Sequence, residues 1–274
     1  MKLTCLVDNA VKPGSDLWGE HGLAFLVEGL SGCLLFDTGA SFTVLAHNLA
    51  ALDIPVESIT ALALSHGHRD HTGGLESFLA LRGRLPTYIA HPDLLAKRYS
   101  CQTRRTESIG LPFEPRLLQE RAELCVSSEP RQVLSGIWTT GEIGNRPEPE
   151  GRSPGHYLSQ NGELVPDPYR DDMGLVLEGS SGLALLCGCS HAGLLNVLLH
   201  VRSAFGQAPT TIIGGLHLLP SSSGDLASLI GALRRFGTPA LYPNHCTGTR
   251  AFLALAQAFP ERVIPCPAGM VLEP

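Results

Sequence analysis

Three histidines and an aspartate fall within the six residues His66-Gly67-His68-Arg69-Asp70-His71. Neutral imidazole and carboxylate are the ordinary ligands of zinc and similar divalent ions. The cluster follows the apolar run 59–64 and precedes Gly73-Gly74, so it sits on an irregular loop between a strand and a helix. On such a loop His66 and His68 can face one position while Asp70 and His71 reach a neighbouring one. That suits two ions sharing one nucleophilic water. Gly67 permits tight backbone geometry, and the glycine pair lets the next helix start close to the ions.

These residues cannot complete two coordination shells, so further ligands must come from distant segments. Three later histidines also follow apolar runs. His191 lies in Gly188-Cys189-Ser190-His191, His217 in Gly214-Gly215-Leu216-His217, and His245 in Pro243-Asn244-His245-Cys246. Strand ends along one sheet edge bring scattered residues together.

The elements that must position these groups are legible as well. Short apolar runs at 3–8, 23–28, 33–37 and 59–64 predict strands, and the spacing predicts helices over 41–49 and 75–81. The last third repeats the pattern, with strands at 174–177, 183–187, 210–213 and 240–242 and helices at 192–205, 225–236 and 250–259. Two strand-rich halves with interspersed helices predict an α/β fold of stacked sheets flanked by helices. Residues 99–172 are richer in charge and proline and weakly periodic. They are expected to form an irregular insertion covering the site within one domain spanning 1–274.

Composition narrows the function. With 43% hydrophobic and 17% charged residues the 274-residue chain can build a sizeable core, which excludes a largely disordered protein. A net charge of −6 removes the electrostatic support for nucleic-acid binding. No apolar run reaches the roughly 20 residues that cross a bilayer, and the amino-terminal run is too short for a signal peptide. Eight scattered cysteines with no C-x-x-C pair fit a reducing cytoplasm. The phosphate-loop, dinucleotide and serine-hydrolase motifs are absent.

His66-x-His68-x-Asp70-His71 and the upstream Asp37-Thr38-Gly39 resemble the signature of the metallo-β-lactamase superfamily. The resemblance runs the whole chain and implies a four-layer αββα sandwich with a one- or two-metal centre at its edge. Thr140-Gly141-Glu142-Ile143, Asp171-Asp172, Gly188-Cys189-Ser190-His191, Gly214-Gly215-Leu216-His217 and His245-Cys246-Thr247-Gly248 resemble a subgroup more closely. That subgroup is the 7,8-dihydropterin-6-methyl-4-(ribofuranosyl)aminobenzene 5′-phosphate synthase group, which implies a transferase joining a pterin alcohol diphosphate to an arylamine phosphate. There are two departures. Where the superfamily places a bridging aspartate after Gly, this chain has Cys189, which reads as a packed small side chain in preference to a thiolate ligand. Ser153-Pro154-Gly155-His156 mimics a ligand-bearing Pro-Gly-His element but has no strand leading in, so His156 ranks behind His191.

The expected centre therefore holds two divalent ions, zinc before manganese or iron. His66, His68 and His191 hold the first, and Asp70, His71 and His245 the second. Asp37 orients a ligand imidazole through its other ring nitrogen. Asp70 also holds the nucleophile, and His217 donates to a phosphate or oxyanion. Glu142, Asp172 and Arg104 are weaker candidates for substrate contact. The expected reaction is hydrolysis of a small substrate, phosphorylated or not, by metal-activated water. The alternatives are diphosphate departure in a pterin-type transfer, and a di-iron redox or non-catalytic relative.

Overall fold

The computed structural model describes residues 1–274. Residue alternation along the strands dictates its layering, because successive side chains point to opposite faces of a sheet. In the strand Ala24–Gly29, Phe25 and Val27 face one way and Ala24 and Leu26 the other. Phe25 and Val27 join Leu3, Cys5, Leu34 and Phe36 against Leu175, Leu177, Leu186 and Ile213 of a second sheet. Ala24 and Leu26 pack with Leu35 and Leu62 against Leu45, Leu49, Leu75 and Phe78 of two helices. The second sheet does the same on its outer face. There Val176, Leu185 and Ile212 meet Val197, Leu198 and Val201 of helix Leu194–Phe205, together with Leu229 and Leu233 of helix Ser223–Arg235. The product is four layers, helix–sheet–sheet–helix.

The first sheet has seven strands in the order Val271–Leu272, Lys2–Val7, Ala24–Gly29, Gly32–Phe36, Ile59–Ala63, Pro86–Ile89 and Glu123–Val126. The second has six, in the order Ala240–Asn244, Thr211–Gly215, Gly182–Cys187, Gly174–Gly179, Ile137–Thr139 and Arg131–Leu134. Gly32–Phe36 pairs in parallel with Ile59–Ala63, and Gly182–Cys187, Thr211–Gly215 and Ala240–Asn244 are mutually parallel neighbours. Their carboxyl ends open on one edge, the place where α/β sheets collect ligands.

Residues 99–172 are not the irregular cover that the sequence suggests. They contribute Glu123–Val126 to the first sheet and Arg131–Leu134 and Ile137–Thr139 to the second. A separate four-stranded sheet runs Glu163–Pro166, His156–Gln160, Arg98–Ser100 and Glu107–Ser108 over the site edge. These strands are two to five residues long and largely exposed. Their alternation is too short to register as a period. The cluster at His66 departs from expectation too, since Arg69–Thr72 forms a short helix and only His66 to His68 remain on irregular backbone. No helix is long and apolar enough to cross a membrane.

Candidate metal centre

Five strand ends deliver the site. Asp37 follows Gly32–Phe36, the His66 cluster follows Ile59–Ala63, Cys189 and His191 follow Gly182–Cys187, His217 follows Thr211–Gly215, and His245 follows Ala240–Asn244. Backbone strain marks the same edge. Asp37, Ser190, His217 and His245 all have positive φ, at 60°, 61°, 47° and 47°. Non-glycine residues pay for that conformation, so it persists where surrounding contacts fix it and the site needs it.

His66, His68 and His191 form one group. Their ring centroids lie 4.6 Å (His66–His68), 4.8 Å (His66–His191) and 4.9 Å (His68–His191) apart. All three are buried, and the Nε2 atom of each has no hydrogen-bond partner. Two of the tautomers follow from the neighbours. The Ser65 hydroxyl donates to Asp37 Oδ2 at 2.7 Å and accepts from His66 Nδ1 at 2.9 Å. His191 Nδ1 donates to the Gly151 carbonyl at 3.2 Å. Both rings therefore carry the proton on Nδ1 and present an Nε2 lone pair. Buried lone pairs left unsatisfied are costly, and His66 and His191 bring ligand atoms within 4.8 Å of each other and of Cys189 Sγ, while the His68 ring stands beside them.

The second group surrounds Asp70. His71 Nε2 and His245 Nε2 lie 3.8 and 3.3 Å from Asp70 Oδ2. Asp37 Oδ2 accepts from His71 Nδ1 at 2.7 Å, and its Oδ1 accepts the Ser65 N–H at 2.7 Å. Asp37 thus turns the His71 ring toward the site. Cys189 stands between the two groups. Its Sγ, 3.2 Å from His71 Nε2, lies within 4.8 Å of the ligand atoms of His66 and His191 and equally of those of His71 and His245. Of the two readings of Cys189, packed side chain or thiolate ligand, this placement favours the second. Its small buried thiol faces ligand nitrogens on two sides instead of a hydrophobic cluster.

A supporting layer lies behind the ligands. Asp171 Oδ2 accepts the Gly67 N–H at 2.8 Å, and its Oδ1 lies 2.6 Å from Arg98 Nη2. Arg98, fully buried, also donates Nε to Asp167 at 2.7 Å. A side chain at position 67 would strike Arg98 and the Leu94 carbonyl, which explains the glycine between the two histidines. Asp172 Oδ2 accepts the Ala192 N–H at 2.8 Å and so pins the loop that carries His191. Sequence reasoning missed Arg98, Asp167, Asn9 and His21. None has a spacing signal, since each meets the site only through the fold.

A cavity of about 1050 Å³ opens onto the site, lined by His21, His68, Asp70, His156, Cys189, His191, His217 and His245 among others. Three candidates for substrate contact do not line it. Arg104 is exposed on the covering segment, Glu142 pairs with Arg170 at 3.1 Å, and Asp172 is committed beneath the His191 loop. His156 does line the cavity; as expected no strand leads into it, and a strand starts at it. Its Nδ1 meets the Tyr169 hydroxyl at 2.9 Å.

Burial sets the protonation of the site. It is the largest influence holding His66, His68 and His191 well below the ordinary 6.5, followed for His66 and His191 by neighbouring imidazoles. Burial likewise takes His217 down to about 4. For Asp70 burial works upward, yet His71 and His245 hold the carboxyl well below the usual range. For His71 burial works downward, yet Asp37 and Asp70 raise the ring to about 9. Asp172 is pushed up to about 7 by burial.

A pH dependence follows. Between about pH 6.5 and pH 5 the unfolded chain binds protons at His66, His68 and His191 that the folded chain does not. Those groups make stability fall on acidification. Asp172 acts oppositely, since the folded chain alone keeps its proton there. His71, raised to about 9, stays protonated in the folded chain throughout and gains its proton in the unfolded chain across the upper part of the window, so there it too opposes the fall. In chelator, the midpoint of thermal unfolding is expected to drop on acidification across this window, and to drop more steeply in Asp172→Asn. A shallower drop in that variant would contradict the assignment.

The chain belongs to the metallo-beta-lactamase superfamily, whose family model matches residues 17–155. It is 28% identical over 285 residues to 7,8-dihydropterin-6-methyl-4-(beta-D-ribofuranosyl)-aminobenzene-5′-phosphate synthase of Methanocaldococcus jannaschii, covering 100% of this chain and 96% of that protein. The fold is similar to the crystal structure of Tm1679, a metal-dependent hydrolase of the beta-lactamase superfamily. The TM-score is 0.86 at 27% identity, covering 100% of this chain and 99% of that one. Zinc-bound PqqB of Methylobacterium extorquens shares the fold at a TM-score of 0.59 and 11% identity, over 99% of each chain.

Proposed function

We propose that this chain is a metal-dependent hydrolase of a small phosphorylated substrate, working through two divalent ions. One observation carries the reading. Buried Nε2 atoms without partners stand on His66, His68 and His191, and His66 and His191 bring ligand atoms within 4.8 Å of Cys189 Sγ, beside an acidic group that can take a second ion. His66, His68 and His191 would hold the first ion, Asp70, His71 and His245 the second, with the Cys189 thiolate available to both. Such a set of nitrogen and sulfur donors favours zinc or iron over magnesium or calcium. Bound there, the ions would polarise a phosphoryl or carbonyl oxygen and lower the pKa of water to about 7.

The chain's own residues supply the rest. The Asp70 carboxylate accepts a hydrogen bond from the attacking hydroxyl and aligns it. His217 is neutral at pH 7, its ring shifted to about 4. Its buried Nδ1 has no partner in the protein, while Nε2 meets Ser153 Oγ at 3.3 Å. With Nε2 accepting from the Ser153 hydroxyl, the ring's one proton would stand on Nδ1 as a hydrogen bond to give to a substrate oxygen that gains charge. The eight free cysteines suit a reducing compartment, the cytoplasm.

A second reading, transfer of a pterin-like group with diphosphate departure, is favoured by the full-length similarity to the Methanocaldococcus synthase. Here the same residues would stabilise the leaving diphosphate, and water would stay out of the bond-forming step. Metal analysis of protein purified without added metal tests the common part, with about two equivalents per chain expected and a metal-free protein that resists reconstitution rejecting it. Turnover in isotopically labelled water then separates the readings, because solvent oxygen enters the product of hydrolysis only.

Asp37→Asn tests the support of the second ion. The amide NH₂ would stand against the Ser65 N–H in one orientation, or against both the Ser65 hydroxyl and His71 Nδ1 in the other. Metal affinity is expected to fall by about 10- to 100-fold in a chelator competition titration. An unchanged affinity would remove Asp37 from the metal centre.

A further inference from the structure

We propose that the Asn9 side chain fixes opposite tautomers on two neighbouring imidazoles, making His245 a ligand through Nε2 and His21 a hydrogen-bond donor to Asp70 through Nε2–H. The inference rests on the two-ion reading above.

The Asn9 amide touches both rings. Its Oδ1 lies 3.0 Å from His245 Nδ1, and its Nδ2 lies 3.3 Å from His21 Nδ1. The rings stack 5.0 Å apart at 26°. Both turn Nε2 toward Asp70 Oδ2, at 3.3 Å from His245 and 3.4 Å from His21. By position alone the two are equivalent, since both Nε2 atoms and the Asp70 carboxylate fall within 4.8 Å of one another. Chemistry separates them. An amide carbonyl only accepts and an amide NH₂ only donates.

A neutral imidazole that gives its Nε2 lone pair to an ion keeps its proton on Nδ1, and that proton needs an acceptor. Asn9 must therefore turn Oδ1 toward His245. Its NH₂ then faces His21 Nδ1, which has to accept. The proton of neutral His21 is driven to Nε2, where it meets an anionic carboxylate oxygen. Nε2 of His21 thus has no lone pair for an ion. The acceptor that the His245 Nδ1 proton needs is enough to set the orientation of the amide.

The backbone holds Asn9 in place. Asp8 Oδ1 accepts the His245 N–H at 2.8 Å, and Asp8 Oδ2 accepts the Ala10 N–H at 3.0 Å. Asn9 is thus carried on a segment tied to the very loop that presents His245. His21 and Asn9 are positioning residues. Together they fix the rotation of the Asp70 carboxylate from the cavity side while keeping a third nitrogen ligand away from the second ion. That side stays open to substrate, as a catalytic metal site requires.

The His21 side chain is 71% exposed, so water competes for its Nδ1. Exchanging the amide for a carboxylate gives the sharpest readout. The experiment takes full-length, zinc-loaded protein with ¹⁵N-labelled histidine and records ring nitrogen shifts, with zinc content measured on the same sample. The wild type is expected to show His21 as the Nε2–H form and His245 as the Nδ1–H form. In Asn9→Asp position 9 can only accept, so His21 is expected to gain a proton on Nδ1, as the Nδ1–H form or as the imidazolium between two carboxylates, while His245 stays as it was. Asn9→Ala, which removes the donor, should give His21 a mixture of both forms.

His21 in the Nδ1–H form in the wild type overturns the proposal. So does a His21 tautomer indifferent to both substitutions while zinc remains bound. If Asn9→Asp does not fold, the wild-type and Asn9→Ala spectra still decide. A wild-type sample that binds no zinc overturns the two-ion reading and this inference with it. Two zinc ions with the wrong tautomers overturn this inference alone.

Discussion

Replacing Arg98 with methionine is expected to cost the fold about 3–5 kcal/mol at neutral pH, the usual loss when one partner of a buried ion pair is removed. Arg98 is fully buried and lies between two buried carboxylates, 2.7 Å from Asp167 and 2.6 Å from Asp171. Methionine fills a similar volume, so the loss is electrostatic and not a cavity. Burial already pushes the Asp171 carboxyl up, and Arg98 is the main group opposing that push. Without it Asp171 takes up a proton when folded, and a folded pKa raised further above the unfolded value means stability is lost as pH rises. The deficit of Arg98→Met against wild type should therefore be smaller near pH 5 than near pH 7. Adding Asp171→Asn should recover part of it, because one uncompensated charge is gone. Urea unfolding of the three proteins at both pH values checks this, and a loss under about 1 kcal/mol would show that the triad is solvated in solution. The same change should loosen the Gly67 N–H contact to Asp171 and with it the turn between His66 and His68.

What the sequence disclosed and what it concealed divide along physical lines. Ile59–Ala63 and Gly182–Cys187 are buried on both faces, so their apolar runs stand out, and candidate ligands after such runs are easy to find. His66, His68, Asp70, His71, His191 and His245 all sit at or just beyond strand ends, and the fold brings them to one edge. The covering sheet was illegible because its strands are short and exposed. The Arg98–Asp171 pair spans 73 residues, and no local pattern reports a contact of that separation. Asp171-Asp172 was visible only as an acidic doublet. The structure gives its members different tasks, one under Gly67 and one under Ala192. Cys189 shows the limit most plainly. Its type suits a packed core as well as a ligand, and only the position of its Sγ between two histidine groups favours the second.

His191→Ala is expected to remove one metal equivalent and to lower turnover by about 10³-fold or more, a barrier increase of about 4 kcal/mol. His156→Ala is expected to keep both equivalents. The two histidines compete for the third position beside His66 and His68, and their surroundings differ in kind. His191 is 1% exposed, its Nδ1 is committed to the Gly151 carbonyl, and its Nε2 has no partner. The Tyr169 ring stacks on it at 4.1 Å and 11°, which fixes the plane in which that lone pair lies. His156 is only partly buried, and it stands 5.4 Å from the His68 ring. Its Nδ1 is engaged by the same tyrosine's hydroxyl. A role for His156 in binding substrate would raise KM in His156→Ala while metal content stayed intact. Metal analysis beside steady-state kinetics separates these outcomes, and retention of both ions in His191→Ala with loss of one in His156→Ala would reverse the assignment. Tyr169→Phe adds a check. It frees His156 while leaving the ring stacked on His191, so only His156-dependent behaviour should change.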